Sequence, residues 1–122
     1  MQENHHDPAA VTQIAVSGNL TTDGATLQQD GATLQQDGVV EANATLQQDG
    51  AKLKTDAATL QQDAEFGASP AKIQQDTAFV DADNAKIQHD VANAPAKAKA
   101  DAATLQQDIT ETNADTAQAT EM

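Results

Sequence analysis

A chain of 122 residues with 19 acidic side chains against 6 lysines carries a formal charge of −13, which makes nucleic acid a poor partner because phosphate binding needs a basic footprint. Anionic membrane surfaces are disfavoured for the same reason, and cations or basic surfaces are the natural electrostatic partners. With no cysteine, disulfides and thiolate metal sites are excluded, and two Phe without Trp or Tyr leave little to line a ligand pocket.

Residues 1–17 read as a lead-in segment. Asp7-Pro8 is a helix start, a capping side chain followed by Pro in the first turn, and predicts a short helix over Ala9–Val16. His5 and His6 beside Asp7 suit a metal only in part, since two adjacent His cannot fill a tetrahedral site, and an exposed terminus is the simpler expectation. The segment lacks the basic n-region and long apolar run of an intact secretory signal. An extracellular or cell-surface setting is expected only if a leader was removed before this numbering begins. No stretch approaches the ~20 apolar residues of a membrane span.

From Gly18 onward the chain repeats a heptad, small-x-apolar-x-x-Asp, whose hexapeptide ATLQQD recurs from Ala25, Ala32, Ala44, Ala58 and Ala103. Residues 18–116 divide into four units of three heptads, 18–38, 44–64, 71–91 and 96–116, leaving 117–122 as a tail. With Leu27 at d, the apolar line is Leu20, Leu27, Leu34, Leu46, Leu53, Leu60, Ile73, Val80, Ile87 and Leu105, with Ala98 and Thr112 completing the last unit. Position a is small or modest, as at Gly24, Gly31, Gly50, Ala57, Thr77, Asn84 and Ala102. One large apolar residue per two turns makes a narrow seam, and small neighbours let helix backbones approach closely.

The breaks at Val39–Asn43, Glu65–Pro70 and Ala92–Pro95 carry helix punctuation: Asn43 as a cap, Ser69-Pro70 as a start, Pro95 as a stop. Connections this short join antiparallel neighbours, and each unit would be ~31 Å long at 1.5 Å per residue. The expected fold is all-α, four repeated helices in an up-down bundle or helical repeat array. The alternative is a β-solenoid with coils of about 26 residues, because Asp-Gly is a strong turn signal and glycines crowd between Gly18 and Gly50. Later copies replace that Gly by Ala and favour good helix formers, which argues for helices.

The most regular polar feature is an Asp stripe at g: Asp23, Asp30, Asp37, Asp49, Asp56, Asp63, Asp76, Asp83, Asp90, Asp101, Asp108 and Asp115. Within one helix these recur every ~10.5 Å, so no single helix can wrap an ion with two of them. Stripes facing each other across neighbouring helices could hold Ca²⁺; Asp23, Asp30, Asp37, Asp49, Asp56 and Asp63 are the metal candidates on the first two units. The plainer expectation is a solvated acidic face. Lys52, Lys72, Lys86 and Lys97 stand at c, each four residues before an Asp, where a helix makes them neighbours. A Thr column at c (Thr26, Thr33, Thr45, Thr59, Thr104) is expected to face solvent, since a seven-residue period drifts ~20° per repeat and gives no flat face.

His89, at f, points outward and has no nucleophile at a suggestive spacing, so no catalytic residue is assigned and an enzyme is not expected. Asn84–Val91 and the following Ala96–Ala103 resemble the alanine-rich heptads of the bacterial outer-membrane murein lipoprotein, but that family's lipid-bearing Cys and basic C-terminus are absent and no role is carried over. The leading expectation is a non-enzymatic structural protein that self-associates through its d-position seam into a fibre, surface layer or coat. The alternatives are a monomeric hydrating protein related to desiccation or ice, and an acidic cation-binding module.

Overall fold

The computed structural model describes the backbone from Pro8 to Thr120 and the side chains from Gly18 to Gln118; His5 and His6 lie outside the described residues. Four helices follow one another: α1 (Pro8–Val40), α2 (Ala44–Glu65), α3 (Pro70–Asp90) and α4 (Ala96–Thr120). Among the described residues α1 packs on α2 and α4, α3 packs on the same two, and the diagonal pairs do not meet. The result is an up-down-up-down four-helix bundle. No strand occurs among the described residues, so the β-solenoid alternative is overturned.

The punctuation falls where the sequence places it. Asn43 Oδ1 accepts from the Leu46 amide at 3.0 Å, and Ser69 Oγ accepts from the Lys72 amide at 3.3 Å with Pro70 in the first turn. Ala42 takes a left-handed conformation (φ 54°) between α1 and α2, and Gly67 does so (φ 75°) between α2 and α3. The lead-in differs from expectation. The short helix over Ala9–Val16 is not separate; α1 runs unbroken from Pro8 into the first unit. Nothing between them forbids it, because Ser17-Gly18 is not followed by Pro and an interior Gly costs a helix only about 1 kcal/mol. At the other end α4 passes the last heptad and reaches Thr120.

Every d position is buried. Leu20, Leu27, Leu34, Leu46, Leu53, Leu60, Ile73, Val80, Ile87 and Leu105 are between 0% and 4% exposed, and Ala98 and Thr112 join them. The a positions are buried as well, from Gly24, Gly31, Gly38 and Gly50 through Ala57, Ala64, Thr77, Asn84, Val91 and Ala102 to Ile109 and Thr116. The narrow seam is therefore closed inside one chain. Small a residues supply the missing contact by drawing backbones together. A Cβ on Gly31 would lie 2.8 Å from the Gly50 carbonyl oxygen, and one on Gly24 would lie 2.9 Å from the Cα of Gln61.

The four interfaces alternate in character. Between α1 and α2, and between α3 and α4, position e supplies glutamines: Gln28 hydrogen-bonds Gln61, Asn84 Nδ2 donates to Gln106 Oε1 at 3.0 Å, and Gln88 Nε2 donates to the Ala102 carbonyl at 2.8 Å. Between α1 and α4, and between α2 and α3, position g supplies aspartates. The second kind of interface is where the chemistry lies.

Candidate functional site: facing aspartate stripes

Antiparallel packing turns the g stripes of α1 and α4 toward each other, and likewise those of α2 and α3. The aspartates meet in pairs: Asp23 with Asp115, Asp30 with Asp108 and Asp37 with Asp101 on one side, and Asp49 with Asp90, Asp56 with Asp83 and Asp63 with Asp76 on the other. The solvated acidic face is thus corrected. Asp23, Asp37, Asp49, Asp76 and Asp83 are buried and the rest of the stripe is half-buried. The reason is geometric: g flanks the core on the side where α1 meets α4 and α2 meets α3, so the stripe lies between antiparallel helices instead of facing solvent. The six candidates Asp23, Asp30, Asp37, Asp49, Asp56 and Asp63 do not face one another; each faces an Asp from the second half of the chain.

Carboxylates in contact repel unless something positive or a proton stands between them. Lysine does this at four pairs. Lys97 Nζ lies 2.9 Å from Asp101 and 3.3 Å from Asp37, and Lys86 lies 2.7 Å from Asp90 and 3.2 Å from Asp49. Lys52 lies 2.8 Å from Asp56 and 3.2 Å from Asp83, and Lys72 lies 2.8 Å from Asp76 and 3.4 Å from Asp63. The helical Lys–Asp pairs expected from the spacing all form. Spacing within one helix could not show that each ammonium also bridges to the facing helix.

The remaining charge is handled by protonation. Burial, followed by the facing Asp, pushes Asp37 and Asp49 up to about 6 and Asp83 up to about 7, with the neighbouring lysines pulling the other way. Asp76 rises for the same reasons. Their partners go down. Hydrogen bonds from the facing Asp and then from lysine lower Asp63 and Asp90, and at Asp56 and Asp101 the same bonds outweigh a burial effect that acts upward. Each of these pairs holds one ammonium between two carboxylates, and its buried member is the one that takes up a proton first as pH falls.

Two pairs have no lysine. Burial first, then hydrogen bonding and repulsion from the facing acid, raises Asp23 and Asp30 to about 8. Beside Asp23, Glu111 adds a third carboxylate, and an oxygen from each of Asp23, Glu111 and Asp115 lies within 4.8 Å of the others. Sequence reasoning missed Glu111. The signal was available, because Glu111 stands four residues before Asp115, the offset at which Asp56, Asp76, Asp90 and Asp101 have a lysine.

The other singled-out residues remain outside this seam. Thr33, Thr45, Thr59 and Thr104 are exposed and Thr26 is half-buried, while His89 is exposed beside Asp90. No helix among the described residues is long and apolar enough to cross a membrane. The fold and the seam together define the class: an acidic antiparallel four-helix bundle with paired carboxylates between its helices. No protein-family model matches the chain, and no similar curated protein or solved structure was found.

Proposed function

We propose that the chain is a non-enzymatic structural protein whose bundles associate with one another end to end. The observation that carries this reading is the placement of its exposed apolar side chains. Of the four large apolar side chains exposed among the described residues, three lie at the turns: Val39 (55% exposed) and Val40 (75%) where α1 turns into α2, and Phe66 (80%) where α2 turns into α3; the fourth, Phe79 (50%), lies midway along α3. In an antiparallel bundle those turns are opposite ends. Beside Val40 a shallow groove of about 550 Å³ is lined by Ala32, Val40 and Pro95 and edged by Asp37 and Lys97. A projecting ring at one end and an apolar groove at the other suit a head-to-tail contact, which repeats without closing and yields filaments.

The d-position seam takes no part in this contact, since it is already buried within one chain. The charge of −13 opposes association until salt screens it, so filaments are expected to lengthen as ionic strength rises. Light scattering and negative-stain microscopy over a range of concentration and salt test the proposal. Phe66→Asp and Val40→Asp should each shorten or abolish the filaments without altering helix content. A folded chain that stays monomeric under every condition rules the reading out.

A further inference from the structure

The repeat supplies its own cation at four of the six facing pairs, always from the residue four positions before a g-position Asp: Lys52, Lys72, Lys86 and Lys97. Applying the same offset to Asp115 gives Glu111, and to Asp108 gives Thr104. The lysine is missing from both pairs in that half of the α1·α4 interface, and at Asp23–Asp115 a carboxylate replaces it. Two observations point to something positive arriving from outside. At every lysine-bearing pair an ammonium occupies the place between the two carboxylates. In addition, Asp23 is 7% exposed and its Oδ2 is enclosed without a hydrogen-bond donor, as in the buried Asp37, Asp49, Asp76 and Asp83. Those four hold a lysine ammonium on Oδ1, whereas Asp23 holds none among the described residues.

We infer that Asp23, Glu111 and Asp115 form a binding site for a hard divalent cation of the Ca²⁺ kind, with the ion standing where the other pairs hold a lysine ammonium. The donors are carboxylate oxygens alone, which suit Ca²⁺ rather than metals that prefer nitrogen or sulfur. Ligands at ~2.4 Å around one Ca²⁺ are at most ~4.8 Å apart, and the three oxygens meet that limit. Glu111 is exposed and Asp115 half-buried, so water can complete the shell from the outer side. Asp30 and Asp108, the next pair along, add negative potential without belonging to the site.

The test is calorimetric titration of the full chain, stripped with chelator, with CaCl₂ at neutral pH and moderate salt, alongside its thermal midpoint. The expected result is one saturable site per chain and a midpoint that rises with Ca²⁺. Glu111→Gln, a surface change that leaves the core intact, should weaken binding about tenfold or more. Glu111→Lys should abolish binding and raise the midpoint in the absence of Ca²⁺, because it restores the ammonium of the other pairs. Three results overturn the inference: no saturable heat from a folded wild-type chain, which would mean that the pair holds only its proton; heat that sodium removes as readily as chelator, which would mean a diffuse counterion cloud; or undiminished binding in Glu111→Lys. None of these bears on end-to-end association, which is read by scattering.

Discussion

Gly31 and Gly50 touch backbone to backbone across α1 and α2. A Cβ on either would lie 2.6–2.8 Å from the other's carbonyl oxygen, and the Gln35 amide nitrogen is 2.6 Å from the position on Gly50. No side-chain rotation relieves such an overlap; the helices must separate. Gly31→Ala and Gly50→Ala are therefore expected to destabilise the bundle by about 1–3 kcal/mol despite the better helix propensity of Ala. At Gly18 the same substitution meets nothing within 4 Å and should stabilise by about 0.5–1 kcal/mol. Urea midpoints of the three variants would decide it, and the opposite signs are the diagnostic feature.

These glycines also explain what was legible in the sequence. Helix spacing, the caps at Asn43 and Ser69 and the d line were readable because each is a local property of the chain. The Asp-Gly steps pointed equally to turns, because a glycine that loosens a helix and one that lets two helices touch look identical in one dimension. The Asp stripe was readable as a stripe, but not as buried. Its enclosure depends on which helices are neighbours, a relationship that no single helix carries. The lysines were read as local partners of Asp56, Asp76, Asp90 and Asp101; their second contacts, to Asp83, Asp63, Asp49 and Asp37, cross between helices.

Thr77 and Thr116 offer a test of the polar core. Their hydroxyls are 2.9 Å apart and buried, and Thr77 also donates to the Ile73 carbonyl at 2.9 Å. Thr77→Val removes the acceptor that Thr116 uses and should cost about 1–2 kcal/mol. Replacing both with Val removes the orphaned hydroxyl too, and should cost less than the sum of the single changes. A double-mutant cycle measured by denaturant unfolding gives the coupling; strict additivity would mean that the hydroxyls do not depend on each other.

The raised carboxyl groups set an unusual dependence on pH. Asp23 and Asp30 (about 8), Asp83 (about 7) and Asp37 and Asp49 (about 6) hold protons in the folded state that an unfolded chain, with Asp near 3.8, has released. Between pH 4 and 8 the native state binds more protons than the unfolded state, so stability falls as pH rises. The lowered groups, Asp56, Asp63, Asp90 and Asp101, act the other way, and their contribution is lost only as pH falls below about 4. Thermal midpoints should therefore peak near pH 4–5 and decline toward pH 8.5. A midpoint that climbed steadily from pH 5 to 8 would contradict the pairing of the carboxylates.

Lys52 isolates the electrostatic part of that argument. Its side chain is 61% exposed, whereas the Asp83 carboxylate it reaches is 5% exposed, so the ammonium offsets buried charge while staying in water itself. Lys52→Gln should cost about 1 kcal/mol at pH 8, a modest figure because solvent screens the exposed partner. The cost should nearly vanish at pH 4.5, where Asp83 holds its proton and donates it to the Asp56 carboxylate, so that only one charge is left without the ammonium. If lost packing of the lysine stem were responsible instead, the penalty would be the same at both pH values. Adding Asp83→Asn to Lys52→Gln removes one of the two repelling charges and leaves a donor facing Asp56, so the double variant should recover most of the loss at pH 8. Thermal unfolding of the single and double variants at the two pH values distinguishes a charge effect from a packing effect at one position.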